Sequence, residues 1–328
     1  MNENPLAGFS YLDEIRIKQG PDQCRNTLTS ILQKDTRRAV ALLNDRRLTF
    51  PCLYILSEPI LRRGIQRNLS IRPSTALRIL GRIRESKAAG THYLTSKGNS
   101  VYPVLKWILE TGSAEDIPED HYAHMLDVTS SVLLNVYKDT AILPLVVELT
   151  FKRNRQDSYI HDLVWVLFRF HDPNILKLIA GYLQSSNQRD IKLAAELLNL
   201  DEVELSTTTG EAMYQKYLRW LEENQPYLYF TEETLQYTSK PVFCTVDLER
   251  KYLQKAASAH KKQPISSLEE DEAVCIEGFK QLSAQEQKIL SGYSHNIHSK
   301  SVPTWKEWLH TPVKEQIKAA KAGWEAEK

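Results

Sequence analysis

Glycine is scarce in this chain, at 12 of 328 residues, against an average usage of about 7%. Enzymes that cradle phosphates or dinucleotides need glycine where a ligand approaches the backbone, so the scarcity favours helices over a cofactor-binding sheet. No GxSxG elbow, Walker A loop or GxGxxG fingerprint occurs, and no cysteine stands in a recognisable catalytic context, which leaves no motif for nucleophilic or nucleotide chemistry. The four cysteines, Cys24, Cys52, Cys244 and Cys275, form no CxxC pair, so neither a disulfide framework nor a zinc ribbon is indicated, and a reducing cytoplasm is the expected location. Long apolar runs are missing as well. Ile142–Val147 is interrupted by Pro144, and Leu163–Phe168 is also short; a bilayer span needs about 20 residues, so no membrane segment is expected. The first twenty residues carry acids and lack a basic start followed by an apolar stretch, and no secretory leader is expected.

What remains is an ordinary folded composition, 42% hydrophobic and 25% charged, long enough for one large domain or two to three smaller ones. The charge is unevenly placed. Residues 1–90 hold 16 Lys+Arg against 8 Asp+Glu, and between Arg37 and Arg84 eleven arginines face only Asp45 and Glu58. Such a field attracts a polyanion or an acidic protein surface, unless acids of the remaining chain neutralise it internally.

From Pro21 to Ala322 apolar residues recur at spacings of three and four, the period of amphipathic helices. The one strand candidate is Val242–Leu248, which lacks an evident partner. Ile142–Leu149 aligns with Ile175–Tyr182 at an offset of 33 residues, and Tyr102–Leu105 aligns with Leu143–Val146 at 41. Each is followed by a second apolar helix, around Met125–Tyr137, Asp162–Phe170 and Asp190–Leu198. This recurrence from about 101 to 202 resembles HEAT-like α-helical repeats. The resemblance implies an all-α fold, a solenoid or irregular helical-repeat array with a short helical C-terminal cap, in which Leu145, Leu178, Leu163 and Ile191 share one core. The expected segments are a basic helical region at 1–98, helix pairs at 99–204, an aromatic-rich helical extension at 205–254, a linker or exposed loop at 255–267, and the cap at 268–328.

Within the basic region, Ile65–Ile83 resembles a helix-turn-helix, and residues 51–98 a degenerate winged helix. Leu69–Ile71 would form the turn, Ser74 or Thr75 would open the second helix, and Leu77, Leu80 and Ile83 would face inward. Gln66 and Ser70 stand where such motifs usually carry a small residue and a glycine, and a plain helix pair with a Pro-Ser-Thr start explains the same residues. The candidate polyanion- or partner-binding residues are Arg62, Arg63, Arg67, Arg72, Arg78, Arg82 and Arg84. Trp305 and Trp308, three apart on a short helix, are candidate partner-binding aromatics, with docking onto the end of the solenoid as the favoured alternative; Trp107 and Trp165 read as core. His121/His124 and His295/His298 have the HxxH spacing of a metal pair without a third ligand, so no metal and no cofactor is expected. The resulting expectation is a non-catalytic protein–protein interaction scaffold or adaptor in a cytoplasmic assembly; the alternative is a DNA-binding regulator using the N-terminal region.

Overall fold

Helix signals dominate the sequence, and the computed structural model is an all-α fold, about 71% helical with 17 helices and one two-stranded sheet among the described residues. It describes residues 8–85, 94, 100–115, 117, 119–200, 208–260, 262–266 and 268–326. The chain forms two compact units: residues 1–150 with 162–166, and residues 151–161 with 167–328.

The first unit opens with α1 (Tyr11–Gln19), α2 (Pro21–Lys34) and α3 (Thr36–Leu43). Ser10 and Asp35 accept backbone N–H bonds at the starts of α1 and α3, which supplies two of the orphan donors that a helix start leaves. α4 (Phe50–Arg62) has no side-chain cap of its own; instead the Phe50 N–H donates to Thr111 Oγ1 at 3.0 Å, a residue of α6 (Val101–Gly112). α5 (Ile71–Glu85) and α7 (Asp120–Ser131) complete the set around an aromatic centre, where Phe50 stacks on Tyr122 and meets Trp107 edge-on. Asp13 lies at the heart of this unit with no solvent exposure. It accepts from Ser10 Oγ at 2.6 Å, from the Thr49 N–H at 3.0 Å and from the Thr49 hydroxyl, and Arg16 lies 3.4 Å away.

The helices carrying the 33-residue similarity are α8 (Leu143–Arg155), α9 (His161–Arg169), α10 (Asn174–Ala180) and α11 (Gln188–Leu197). Their burial follows the offset. Ile142, Leu143, Val146, Val147 and Thr150 are buried, as are Ile175, Leu176, Ile179, Ala180 and Leu183, each 33 positions later. The expected core positions need correction. Leu163 is buried, but Leu145, Leu178 and Ile191 are only half-buried. An apolar stripe on a helix is wider than one residue, and its centre falls on Val146 and Ile179, with Leu145 and Leu178 on its flank.

In the second unit, α12 (Gly210–Asn224) leads through Tyr227 to β1 (Leu228–Phe230), which pairs antiparallel with β2 (Cys244–Val246) in the register Leu228↔Val246. The strand expected within Val242–Leu248 is present, and its partner comes from the aromatic run that was read as helical extension. Phe168 stacks on Phe243 behind this ribbon, with centroids 4.1 Å apart. α13 (Leu248–Tyr252) is followed by the segment expected as a loop over 255–267, whose described residues hold no helix up to Glu269. Arg250 grips it through the carbonyls of Ala256, Gln263 and Pro264. The final helices, α14 (Glu270–Lys280), α15 (Ala284–Lys300), α16 (Val302–Leu309) and α17 (Val313–Ala326), gather around Tyr252, Phe279, Leu290, Trp305 and Ile317.

Candidate partner-binding face

The candidate arginines sit on α4, α5 and the corner between them. α4 ends at Arg62 with Arg63 as its C-cap, and Gly64 then takes the left-handed φ of 66° that most side chains avoid. A single tight turn, Ile65–Asn68, carries the chain to Ser70, whose N–H donates to Asn44 Oδ1 at 2.7 Å. The next helix opens at Ile71, earlier than the Ser74 or Thr75 expected from sequence. This places Arg72 in its first turn, with Pro73 where its missing N–H costs nothing. Leu77, Leu80 and Ile83 are buried as expected. Two and three turns beyond Ile71, Arg78 and Arg82 share its face and are exposed.

The seven candidates divide into different roles. Arg72 turns inward: its Nη1 and Nη2 donate to the carbonyls of Arg46 and Asp45 at 2.8 and 2.6 Å, and its guanidinium lies 4.9 Å from the centre of the Trp107 ring. Burial pushes its pKa down. Arg84 lies over the Tyr54 ring at 5.2 Å, beside the Tyr54 hydroxyl that donates to Glu119 Oε1 at 2.8 Å. Burial and that carboxylate push the Tyr54 phenol up to about 12. The Arg72 cation is thus engaged within the fold, whereas Arg84 remains exposed. Arg62 pairs with Glu58 one turn back on the exposed side of α4. Arg63, Arg67 and Arg82 are exposed and have no carboxylate partner among the described residues; Arg78 is exposed beside them.

Among the described residues some cations of the basic region are paired with acids, Arg16 with Glu115 of the remaining chain and others locally. Asp45 is held by Arg47, its acidity strengthened by that contact, and Glu58 is taken by Arg62. Arg37, Arg38 and Arg46 are exposed as well. The same segments also expose apolar side chains: Leu61 is 44% exposed at the end of α4 and Ile71 70% exposed at the start of α5. Sequence reading placed the arginines here and missed these two, since exposure of a leucine or isoleucine carries no local signature. Residues 90–98 of the expected winged-helix region lie outside the described residues apart from Leu94.

Because the Arg72 interactions join α5 to the 45–46 turn, Arg72→Ala is expected to lower stability by about 2 kcal/mol, from two charge-assisted hydrogen bonds and a cation–π contact. Arg82→Ala is expected to change it by less than about 0.5 kcal/mol. Urea titrations of the two variants separate these outcomes, and equal stabilities would remove the structural role assigned to Arg72.

The other candidates are placed elsewhere. Trp305 is 7% exposed and its indole N–H donates to Ser294 Oγ at 2.8 Å. Trp308 is half-buried, edge-on to Tyr252 and Tyr293. Both serve the protein's own core, which removes Trp305 from any partner surface. Trp107 and Trp165 are half-buried rather than fully enclosed. His121 and His124 are exposed; His295 Nδ1 lies 3.1 Å from Gln254 Oε1, and burial pushes its pKa down. Among the described residues no group of three or more His, Cys, Asp or Glu is arranged to hold a metal. Asp157 is bound by Arg189 at 2.7 Å. A groove of about 810 Å³ in the second unit, lined by Leu193, Phe243, Lys192 and Glu196 among others, contains none of the candidate arginines or tryptophans. No helix of the described residues is long and apolar enough to cross a membrane.

No protein-family model, no curated protein and no solved structure matches the chain.

Proposed function

We propose that this chain is a non-catalytic interaction protein of HEAT-like helix pairs, working as a scaffold or adaptor in a cytoplasmic assembly. It holds an acidic segment of a protein partner against the arginine face of α4 and α5. The observation that carries this reading is the mixture on that face: exposed Arg63, Arg67, Arg78 and Arg82 stand with exposed Leu61 and Ile71. Arginine beside apolar side chains suits a protein partner. A phosphate backbone rewards the cations and offers the leucine and isoleucine nothing. A DNA-reading helix also uses its N-terminal residues on base edges. Here those positions hold Ile71, which has no hydrogen-bonding group, and Arg72, whose guanidinium is engaged with the 45–46 turn.

The test is titration of a fluorescein-labelled peptide of glutamates with leucine at every fourth position, read by anisotropy. The triple variant R63E/R67E/R82E is expected to bind it about thirtyfold more weakly than the wild-type chain, since three exposed charge pairs together contribute about 2 kcal/mol. Its melting temperature is expected to stay unchanged, because those three side chains are exposed and have no ion-pair partner among the described residues. Equal affinities for the variant and the wild-type chain would refute the proposal.

A further inference from the structure

Cys24 and Cys52 are 28 positions apart in the sequence, and nothing in their spacing links them. The fold does. α2 and α4 pack so that the two Sγ atoms lie 3.9 Å apart, both without solvent exposure. The other two cysteines lack this arrangement: Cys275 donates to the Leu309 carbonyl at 3.2 Å, and Cys244 sits on β2. A lone buried cysteine is a small apolar residue. Two sulfurs already in van der Waals contact are a dithiol whose remaining step to a bond is short. The S–S bond is about 2.05 Å long, so each side chain has about 1 Å to travel.

The surroundings make the two sulfurs unequal. The hydrogen-bonding contact with Cys52, and after it Arg16 and Arg25, favour a thiolate at Cys24, so that the Cys24 pKa is lowered although burial and Asp13 oppose it. The Cys52 pKa is raised by the same hydrogen bond and by burial. Thiolate character decides which sulfur reacts first.

We propose that Cys24 and Cys52 form a site of oxidative modification, closing to an intramolecular disulfide in the presence of a peroxide and tying α2 to α4. The Cys24 thiolate attacks one peroxide oxygen; the O–O bond breaks, and the departing hydroxide is protonated to water, leaving a sulfenic acid on Cys24. The Cys52 sulfur then attacks the Cys24 sulfur, the S–O bond breaks, and the departing hydroxide takes the Cys52 proton as the second water. Two thiols lose two electrons and the peroxide gains them. Hydrogen peroxide is only slightly larger than water, so entry needs local opening at α2 rather than unfolding. The modification is independent of the partner reading, since neither sulfur lies on the arginine face.

The experiment treats the full chain, reduced and then freed of reductant, with hydrogen peroxide. It is denatured in N-ethylmaleimide, and its peptides are mapped by mass spectrometry. The expected result is the Cys24 peptide joined to the Cys52 peptide, two hydrogens lighter than their sum and separable by dithiothreitol, with Cys244 and Cys275 alkylated. In C52S, dimedone is expected to label Cys24. Cys24 and Cys52 alkylated as fully as in untreated protein, or cross-links formed mainly to Cys244 or Cys275, would overturn the proposal. The wild-type map decides this without depending on the folding of a variant.

Discussion

Trp305→Ala is expected to lower the melting temperature of the chain's second unit by roughly 10 °C, corresponding to about 3–5 kcal/mol for an aromatic ring removed from a core. The ring is enclosed by α15 and α16, with His298 edge-on at 5.0 Å. Its N–H bonds to Ser294 Oγ, which in turn donates to the Tyr252 carbonyl at 2.6 Å. Alanine would leave a cavity in the cluster that also holds Leu290 and Phe279, and strand one partner of that chain. A circular-dichroism melt measures the effect. A shift under about 2 °C together with lost peptide binding would return Trp305 to the role of a surface anchor.

The second large effect belongs to the first unit. Asp13→Ala removes a carboxylate that receives the Ser10 hydroxyl and both the N–H and hydroxyl of Thr49. It also faces Arg16, which donates from Nη2 to Glu115 Oε1 at 2.9 Å. The buried Ser10 hydroxyl and the half-buried Thr49 donors would lose their acceptor while Arg16 keeps Glu115, and losing one partner of a buried charged network costs about 3–5 kcal/mol. Asp13→Asn keeps one acceptor oxygen and is expected to fall between alanine and wild type. Chemical denaturation of the three proteins gives the ranking; an alanine variant as stable as wild type would mean that solvent replaces the carboxylate without cost.

Helix class was legible in the sequence because its signal is local. Spacing of three and four, Pro21 and Pro51 near helix starts and the 33-residue offset all act within a few turns, and the burial pattern at Ile142–Thr150 repeats at Ile175–Leu183. The shift from Leu145 to Val146 shows the limit: periodicity finds the apolar stripe, while the facing elements decide its deepest line. The missed strand at Leu228–Phe230 is three residues long and exists through pairing with a segment 16 residues away. Non-local partners also explain Arg72. Its acceptors are backbone carbonyls at 45 and 46 and the ring at 107, and a carbonyl leaves no mark in residue identity. The cysteine pair was hidden in the same way, by a helix packing that no spacing rule encodes.

The account rests on the arginine face serving a protein partner. The most direct test titrates the intact chain, at 0.15 M salt, with the glutamate–leucine peptide and separately with a random 20-base-pair duplex. The account predicts saturable peptide binding in the micromolar range that loses several-fold affinity when alanine replaces the peptide's leucines, and duplex binding at least tenfold weaker. Duplex binding tighter than peptide binding, falling steeply as salt rises through counterion release, would contradict it.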